Sequence, residues 1–331
     1  MNARRTRGAL ALALAAVIGL AGCANPVPEP QPEPVPAQAP PVLDATQSAR
    51  VLDQVEEVLA TGDAALDANQ LDPRVTGPAL AIRSAEYVRA QATGGERAPV
   101  TIPTEAQVTI TPDTTSWPRT QIVVTEQPAD LQAPLLLVLI QNGPREEYKL
   151  WGWARLGEGV QMPATAAPAT GSPQLSADDT SLVLPPEDVL AQYADVLTNG
   201  DASPYAATFG TSFFRSAIEA VRAQTVQGLQ AVATVSETVA PEAGSVSALG
   251  TADGGAIVVG QMTTVTTAAI SQGTVTLTDP LDKALTGKES VSQNLVRTWT
   301  DVVVFYVPPA GSDAGIQVLA AEHARTAVTG E

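Results

Sequence analysis

His323 is the only histidine in the chain, and histidine is the side chain whose ordinary pKa suits proton transfer near neutral pH. It lies in the last stretch with strand periodicity, beside Glu322. Asp301, at the start of the preceding predicted strand, is placed to orient the imidazole in an acid–base site. We therefore take His323 and Asp301 as candidate catalytic residues. A lone histidine on a sheet is more often structural, so catalysis is kept as an alternative.

Motifs of the common catalytic and cofactor-binding classes are missing from the sequence. No G-x-S-x-G, S-x-x-K or H-E-x-x-H pattern occurs, and Gly287-Lys288-Glu289 lacks the upstream glycine and the Ser or Thr of a phosphate-binding loop. There is no acid-rich calcium loop, and the single cysteine, Cys23, cannot build a zinc site. The sequence predicts no metal and no cofactor, and it favours a non-enzymatic role.

Two tryptophans are candidates for lining a ligand pocket. Trp151 and Trp153 lie two residues apart in a segment with strand periodicity, so their side chains project from the same face. Such a pair can line an apolar pocket, although buried aromatic residues more often fill a core. Packing is the favoured interpretation, and a ligand pocket is the alternative.

Two segments, 42–160 and 185–331, each show helical periodicity followed by strand periodicity. In the first segment, caps and stop residues bracket apolar stripes and predict helices from Asp44 to Gly62 and from Pro78 to Ala92. Apolar runs then predict four strands, at 107–111, 121–125, 135–140 and 148–156. Between the segments, residues 161–184 are poor in large apolar residues and are predicted to be a linker.

The second segment repeats the first. Residues 51–64 and 189–202 are identical at eight of fourteen positions. A second set of blocks recurs in the same order, with Arg83-Ser84-Ala85 and Val88–Gln91 matching Arg215-Ser216-Ala217 and Val221–Gln224. Because strands are predicted after both sets, we infer an internal duplication. In this alignment Arg89 is equivalent to Arg222, and both are predicted to pair with acidic residues or to face a pocket.

The strands predicted for the second unit are 230–239, 245–249, 256–270, 273–278, 302–307 and 315–325, with a polar loop up to Asn294. Helices followed by a four- to six-stranded antiparallel sheet resemble the cone-shaped α+β domains of the cystatin-like and nuclear-transport-factor-two-like folds. The resemblance implies that a curved sheet wraps a long helix and leaves a hollow. We therefore expect an α+β protein of two tandem cone-like units.

The N-terminus has the features of an exported protein. Arg4, Arg5 and Arg7 precede an apolar run that is too short to span a bilayer, which needs about 20 apolar residues. The run ends in Leu20-Ala21-Gly22-Cys23, which resembles the lipobox of bacterial lipoproteins. The resemblance implies that residues 1–22 are a signal peptide cleaved before Cys23, and that Cys23 carries a diacylglycerol anchor.

A proline-rich stalk is predicted at 23–41. Eight prolines between residues 24 and 41 fix φ and remove hydrogen-bond donors, so neither helix nor sheet is expected there. At about 3.1 Å per residue, a polyproline II stalk would hold the folded part on the order of 50 Å from the membrane. A lipid anchor with two such units resembles actinobacterial lipoproteins of unknown function, which implies a place on the outer face of the cell membrane.

The charge of the chain excludes one class of partner. The net charge is −17, and removal of the leader with its three arginines makes it more negative still. Such a surface repels nucleic acid. We expect a non-enzymatic binding or scaffold module, whose partner besides the membrane is a protein or a small apolar ligand. The alternatives are an enzyme or carrier with a cone-shaped pocket, and a transport-associated solute-binding lipoprotein. The last is disfavoured because strands follow strands here, whereas those proteins usually have parallel α/β lobes.

Overall fold

The computed structural model describes residues 39–128 and 132–331, which form a mixed α+β structure. The predicted signal peptide, with Leu20, Ala21 and Gly22, lies outside the described residues, as do Cys23 and the stalk up to residue 38. The described part contains six helices: α1 (Ala45–Ala65), α2 (Gly77–Ala92), α3 (Pro186–Asn199), α4 (Ala206–Phe209), α5 (Phe213–Leu229) and α6 (Pro280–Thr286). None of the helices in these ranges is long and apolar enough to cross a membrane.

The helix ends follow from capping residues. Asp44 begins α1 with the predicted capping box, because its side chain accepts a hydrogen bond from Gln47 N while Gln47 Oε1 accepts one from Asp44 N. Ser212 caps α5 by accepting a hydrogen bond from Arg215 N. Local sequence therefore sets where these two helices start.

Ten strands of the described chain join in one curved antiparallel sheet. Its central path is β1-β2-β3-β4-β12-β11-β8-β7-β5, and β6 pairs with the remaining length of β8. The twelve strands are β1 (Ala106–Ile110), β2 (Arg119–Thr125), β3 (Leu135–Gln141), β4 (Lys149–Leu156), β5 (Gln174–Leu175), β6 (Ala233–Pro241), β7 (Ser247–Gly250), β8 (Ala256–Ile270), β9 (Val275–Thr276), β10 (Ser290–Val291), β11 (Asn294–Val307) and β12 (Gln317–Gly330). The pair β9–β10 forms a separate two-stranded sheet.

The two halves of the chain meet where β4 pairs with β12. This antiparallel contact has only two residue pairs, Leu156 with Ala320 and Arg155 with Ala321. Residues Gln38–Glu331 form one compact unit. The strands predicted for 42–160 and for 185–331 therefore contribute to the same sheet.

Alternate residues of β11 serve hydrophobic cores on opposite faces of the sheet. Val302 and Val304 pack into the core that includes α1 and α2, whereas Val303 and Phe305 pack into the core that includes α3 and α5. All four side chains are fully buried. The alternation follows from the two-residue repeat of a strand, and it places helices over both faces of the central sheet.

Several segments differ from their predicted structure, among them the strand predicted at 302–307, which begins at Asn294 as part of β11. The expected loop before Asn294 contains α6, which Asp279 caps by accepting a hydrogen bond from Leu281 N. Pro280 at the first turn and Gly287 in the left-handed conformation are local signals for this helix, which is too short to show apolar periodicity. Within residues 161–184, β5 pairs with β7, so part of the expected linker is bound to the sheet.

Candidate functional site

A cluster of charged side chains lies where β12 separates from β4. Beyond Ala321, β12 has no further pairing with β4, and α6 packs against β12 and α2 at this edge. Trp299 of β11 lies directly opposite Arg325 of β12 in the register of the sheet, with the guanidinium 4.9 Å from the indole centroid. Trp299 is also stacked on His323 at 4.2 Å between ring centroids.

Two arginines converge on one buried carboxylate. Asp282 of α6 is 1% exposed, and its Oδ2 accepts hydrogen bonds from Arg297 Nε at 2.9 Å and Arg297 Nη2 at 2.7 Å. Its Oδ1 accepts a hydrogen bond from Arg325 Nη1, which also donates to Asp279 Oδ2 at 3.2 Å. The pKa of Asp279 is lowered: burial opposes this shift, but the backbone hydrogen bond from Leu281 and the charge of Arg325 outweigh it. The network ties α6 to β11 and β12.

A cavity of about 340 Å³ lies between this network and α5, and we name it the α5 cavity. Its floor carries Trp299, Arg297 and Arg325, and its helical wall is formed by Val221, Gln224, Thr225, Gly228 and Leu229. The remaining wall is the segment 275–279 with Asp282. The volume falls in the range of roughly 300–1,000 Å³ that is usual for small-molecule pockets.

The wall of the α5 cavity continues a stripe of α5 that packs on the sheet elsewhere. In the first half of the helix, Phe214 and Ile218 are buried in the core. Val221, Thr225 and Gly228 extend the same helical spacing but line the cavity instead. A Cβ atom at Gly228 would have no heavy atom within 4 Å. The inward face of the second half of α5 is thus left without close packing against the sheet.

A smaller cavity of about 190 Å³ lies on the other side of Trp299, next to α2, and we name it the α2 cavity. The two cavities share Asp279, Trp299 and Arg325. The α2 cavity is rich in ionisable side chains, which are Glu86, Arg89, Arg97, Asp279, Glu322, His323 and Arg325.

Glu322 is the most perturbed carboxyl group of the α2 cavity. Burial, and then the charge of Glu86, raise the pKa of Glu322 to about 7, and the nearby Arg155 and His323 offset only part of this. Glu86 itself is held by Arg83 Nη1 at 2.7 Å and Arg89 Nη2 at 3.3 Å. Glu322 can therefore gain or lose a proton near neutral pH.

His323 and Asp301, the candidate catalytic residues, are in contact. They face each other across β11 and β12, and His323 Nδ1 lies 2.5 Å from Asp301 Oδ1. Asp301 is fully buried, and its Oδ2 accepts a hydrogen bond of 2.5 Å from the hydroxyl of Thr264 on β8. The three side chains form a chain of hydrogen bonds across three strands, and its outer end, His323, lines the α2 cavity.

The other candidates lie away from these cavities. Trp153 is 1% exposed and belongs to the core beneath α1 and α2, and Trp151 packs against Gly77. Neither lines the α5 cavity or the α2 cavity.

The two arginines that the sequence alignment makes equivalent both form ion pairs. Arg222 pairs with Glu237 at 2.8 Å, and Arg89 pairs with Glu86 besides lining the α2 cavity. Within residues 39–128 and 132–331, no group of three or more His, Cys, Asp or Glu side chains is placed to hold a metal ion.

Sequence reasoning did not identify Arg297, Arg325 and Asp282. The arginines lie on neighbouring strands, and Asp282 belongs to a helix that the periodicity analysis assigned to a loop. The available signal was the run Asp279-Pro280-Leu281-Asp282, which is typical of a helix start. No local pattern indicates that this helix would meet the two arginines.

A family model described as "Domain of unknown function (DUF8094)" matches residues 39–330 of the chain. No curated protein and no solved structure matches it. The geometry of the site is therefore the basis for any statement about function.

Proposed function

The chain belongs to the DUF8094 family, and we propose that it is a lipid-anchored extracytoplasmic protein that binds a small molecule in the α5 cavity. In this proposal, Cys23 carries the anchor on the outer face of the cell membrane and residues 23–41 form the stalk. Binding is non-enzymatic. The remaining residues present the cavity away from the membrane surface.

One observation carries the binding proposal: the packing stripe of α5 continues past Ile218 but borders a solvent-open cavity of about 340 Å³ instead of a core. Val221 is 38% exposed beside this cavity, so its apolar surface lacks favourable contacts with the rest of the protein. A ligand between Val221, Leu229 and Trp299 would supply those contacts. The small side chains at Thr225 and Gly228 keep the space open.

Native mass spectrometry of residues 38–331, purified gently from the native host, tests the binding proposal. We expect a bound small molecule at one per chain. The variant Gly228→Leu fills the cavity and is expected to be recovered without ligand. Gly228→Ala is the matched control, because it makes the same change of helix propensity and adds only one methyl group. A clean apo mass for the unaltered protein, together with recovery of protein partners only, would replace the proposal by a scaffold role.

The anchor is supported by the residues 20–23 and is tested separately. Full-length protein is expected in the membrane fraction, and the variant Cys23→Ser is expected to leave it, because the acyl chains provide the attachment. Both forms should bind the same ligand. Retention of Cys23→Ser in the membrane fraction would show that attachment does not depend on this cysteine.

We further propose that the fold arose by duplication into two cone-like units. Two contacts support this: Asp63 pairs with Arg83 at 2.7 Å, and the positions aligned with them, Asp201 and Arg215, pair at 2.6 Å. The last strands of the two proposed units, β4 and β12, pair with each other in antiparallel fashion. A solved structure in which the two halves superimpose poorly would count against duplication.

A catalytic role is the second candidate function, and the contact between His323 and Asp301 favours it. The buried carboxylate orients the imidazole, and Glu322 with its pKa of about 7 lies in the same cavity. Turnover of the ligand identified by mass spectrometry, abolished in His323→Ala but not in Gly228→Ala, would establish an enzyme or carrier with chemistry. The third alternative, a transport-associated solute-binding protein, gains no support from a sheet whose described strands are paired antiparallel.

A further inference from the structure

We propose that the ligand of the α5 cavity is an anionic amphiphile, in which a carboxylate or phosphate group contacts Arg297 and Arg325 and an apolar body lies under α5. This inference rests on the proposed binding function and names the chemical class of the ligand.

The cavity offers hydrogen-bond donors that the protein itself does not use. Arg297 donates to Asp282 through Nε and Nη2, while its Nη1 has no partner among the described residues. Arg325 donates through Nη1, and its Nη2 likewise has no partner among the described residues. Arginine forms its strongest hydrogen bonds with carboxylate and phosphate oxygens, often through two parallel N–H groups. The unused donors therefore match an anionic group.

The acidic residues of the cavity are already occupied. Asp282 accepts from both arginines, one at each of its oxygens, and is only 1% exposed. Asp279 accepts from Leu281 N through Oδ1 and from Arg325 through Oδ2. An ammonium ligand would thus find the buried Asp282 shielded and could reach only Asp279, whereas an anion could accept from the unused N–H groups of both arginines. The cavity is therefore expected to prefer an anionic ligand to a cationic one.

The walls above the arginines favour an apolar body. Val221 and Leu229 face the cavity from α5, and Val275 and Leu277 face it from the opposite side. Trp299 closes the floor beside the arginines. Burying apolar surface contributes about 25 cal/mol per Å², so a purely polar anion would leave this part of the affinity unused. The hydroxyl of Thr276 adds a donor and an acceptor to the lining, whereas the hydroxyl of Thr225 donates to Val221 O and can only accept.

Isothermal titration of residues 38–331 with a matched set of six-carbon probes tests the inference. The probes are hexanoate, hexyl phosphate, hexylamine and hexanol, which share an apolar body and differ in the polar group. We expect one of the two anions to bind at least about tenfold more tightly than hexanol, and hexylamine to bind no better than hexanol. Which anion binds more tightly distinguishes a carboxylate ligand from a phosphate ligand.

Two variants assign the preference to the cavity. Arg297→Gln is expected to lower the affinity for the anion by about tenfold and to leave hexanol binding unchanged. Arg222→Gln removes the same charge from the same region of the molecule, but Arg222 does not line the cavity, so it is expected to have little effect. Equal loss in both variants would show a general effect of charge and would overturn the inference.

The outcomes separate the ligand class from the binding function. If hexanol binds as tightly as both anions, and Gly228→Leu abolishes binding of all of them, the cavity binds ligands but the inference of an anionic group is wrong. If no probe binds to the unaltered protein, the inference is wrong, and the mass spectrometry of host-purified protein decides whether the binding function survives. The selectivity of the unaltered protein suffices for the test if Arg297→Gln does not fold.

Discussion

Glu322 of β12 and Glu86 of α2 are carboxylates that line the same small cavity and repel each other there. Glu86 pairs with Arg83 and Arg89, whereas no ion pair compensates the burial of Glu322 within the described residues. Glu322 therefore binds a proton more tightly in the folded protein than in the unfolded chain.

Replacing Glu322 by Gln is expected to change how stability depends on pH. The folded protein holds the pKa of Glu322 at about 7, above the ordinary value of 4.5, so the folded state binds this proton more tightly than the unfolded state. The contribution of Glu322 to stability is full below pH 4.5, and it is lost as the pH rises to about 7. Glu322→Gln should thus gain stability relative to the unaltered protein over this range. Urea unfolding at a series of pH values measures the difference, with Glu158→Gln on an exposed turn as control. Parallel curves for Glu322→Gln and the unaltered protein would contradict the prediction.

Arg83 and Arg215 occupy equivalent positions in the proposed duplication, but they are expected to contribute differently to stability. Arg83 has a buried side chain and pairs with Glu86, whose side chain is 7% exposed. The partners of Arg215 are more exposed, since Asp201 is 95% exposed and Glu219 is 45% exposed. Arg83→Met leaves the buried carboxylate of Glu86 with only its longer contact to Arg89 and should lower the free energy of unfolding by about 3 kcal/mol. Arg215→Met should lower it by about 1 kcal/mol or less. Equal losses in denaturant titrations would show that the exposure of the partner does not decide the effect.

A double-mutant cycle on Asp301 and His323 is expected to show strong coupling. The variants are Asp301→Asn, His323→Ala and their combination, and the buried contact between the two side chains should give a coupling energy of about 1.5–3 kcal/mol. The hydroxyl pair of Thr300 and Thr326, at 2.8 Å between the same two strands, serves as a neutral comparison. The coupling of that pair should be about 1 kcal/mol or less. A coupling near zero for Asp301 and His323 would mean that the contact contributes nothing to stability.

The first half of the chain is expected not to fold alone. The core beneath α1 and α2 includes Val302, Val304 and Leu319, which belong to the second half. Expression of residues 39–160 would leave the apolar surface that these side chains cover exposed to water. Far-UV circular dichroism and proton NMR should show a poorly structured fragment, whereas residues 38–331 should unfold in one cooperative transition. A dispersed NMR spectrum for the fragment would show that the half is an independent domain.

The helices and several strands of this protein could be predicted from the sequence because their signals are local. Asp44 and Gln47 form the predicted capping box, and α2 covers Gly77–Ala92 where Pro78 to Ala92 was predicted. β8 spans the predicted 256–270. The α+β class follows from these elements. In each case the side chains that specify the element lie within it or next to it.

The joining of the strands and the composition of the site could not be predicted, because both depend on contacts between distant residues. No pattern in the sequence of either segment indicates that Leu156 pairs with Ala320. Asp301 and His323 were selected as a pair because they lie on consecutive strands, and the register of β11 and β12 places them opposite each other. The cavities depend on the placement of α6 and on the half of α5 that does not pack against the sheet. The apolar periodicity of the sequence predicts neither feature.

The separation of β12 from β4 has a consequence for solubility. The outer edge of β12 beyond Ala321 is a run of backbone that would pair with a strand of another molecule if it were bare, and such edges promote aggregation. Here α6 lies beside that edge, and Glu322 and Arg325 place charge along it. The side chains that build the candidate site thereby also shield this edge from pairing with another chain. Removing Arg325 is therefore expected to increase aggregation as well as to lower ligand affinity.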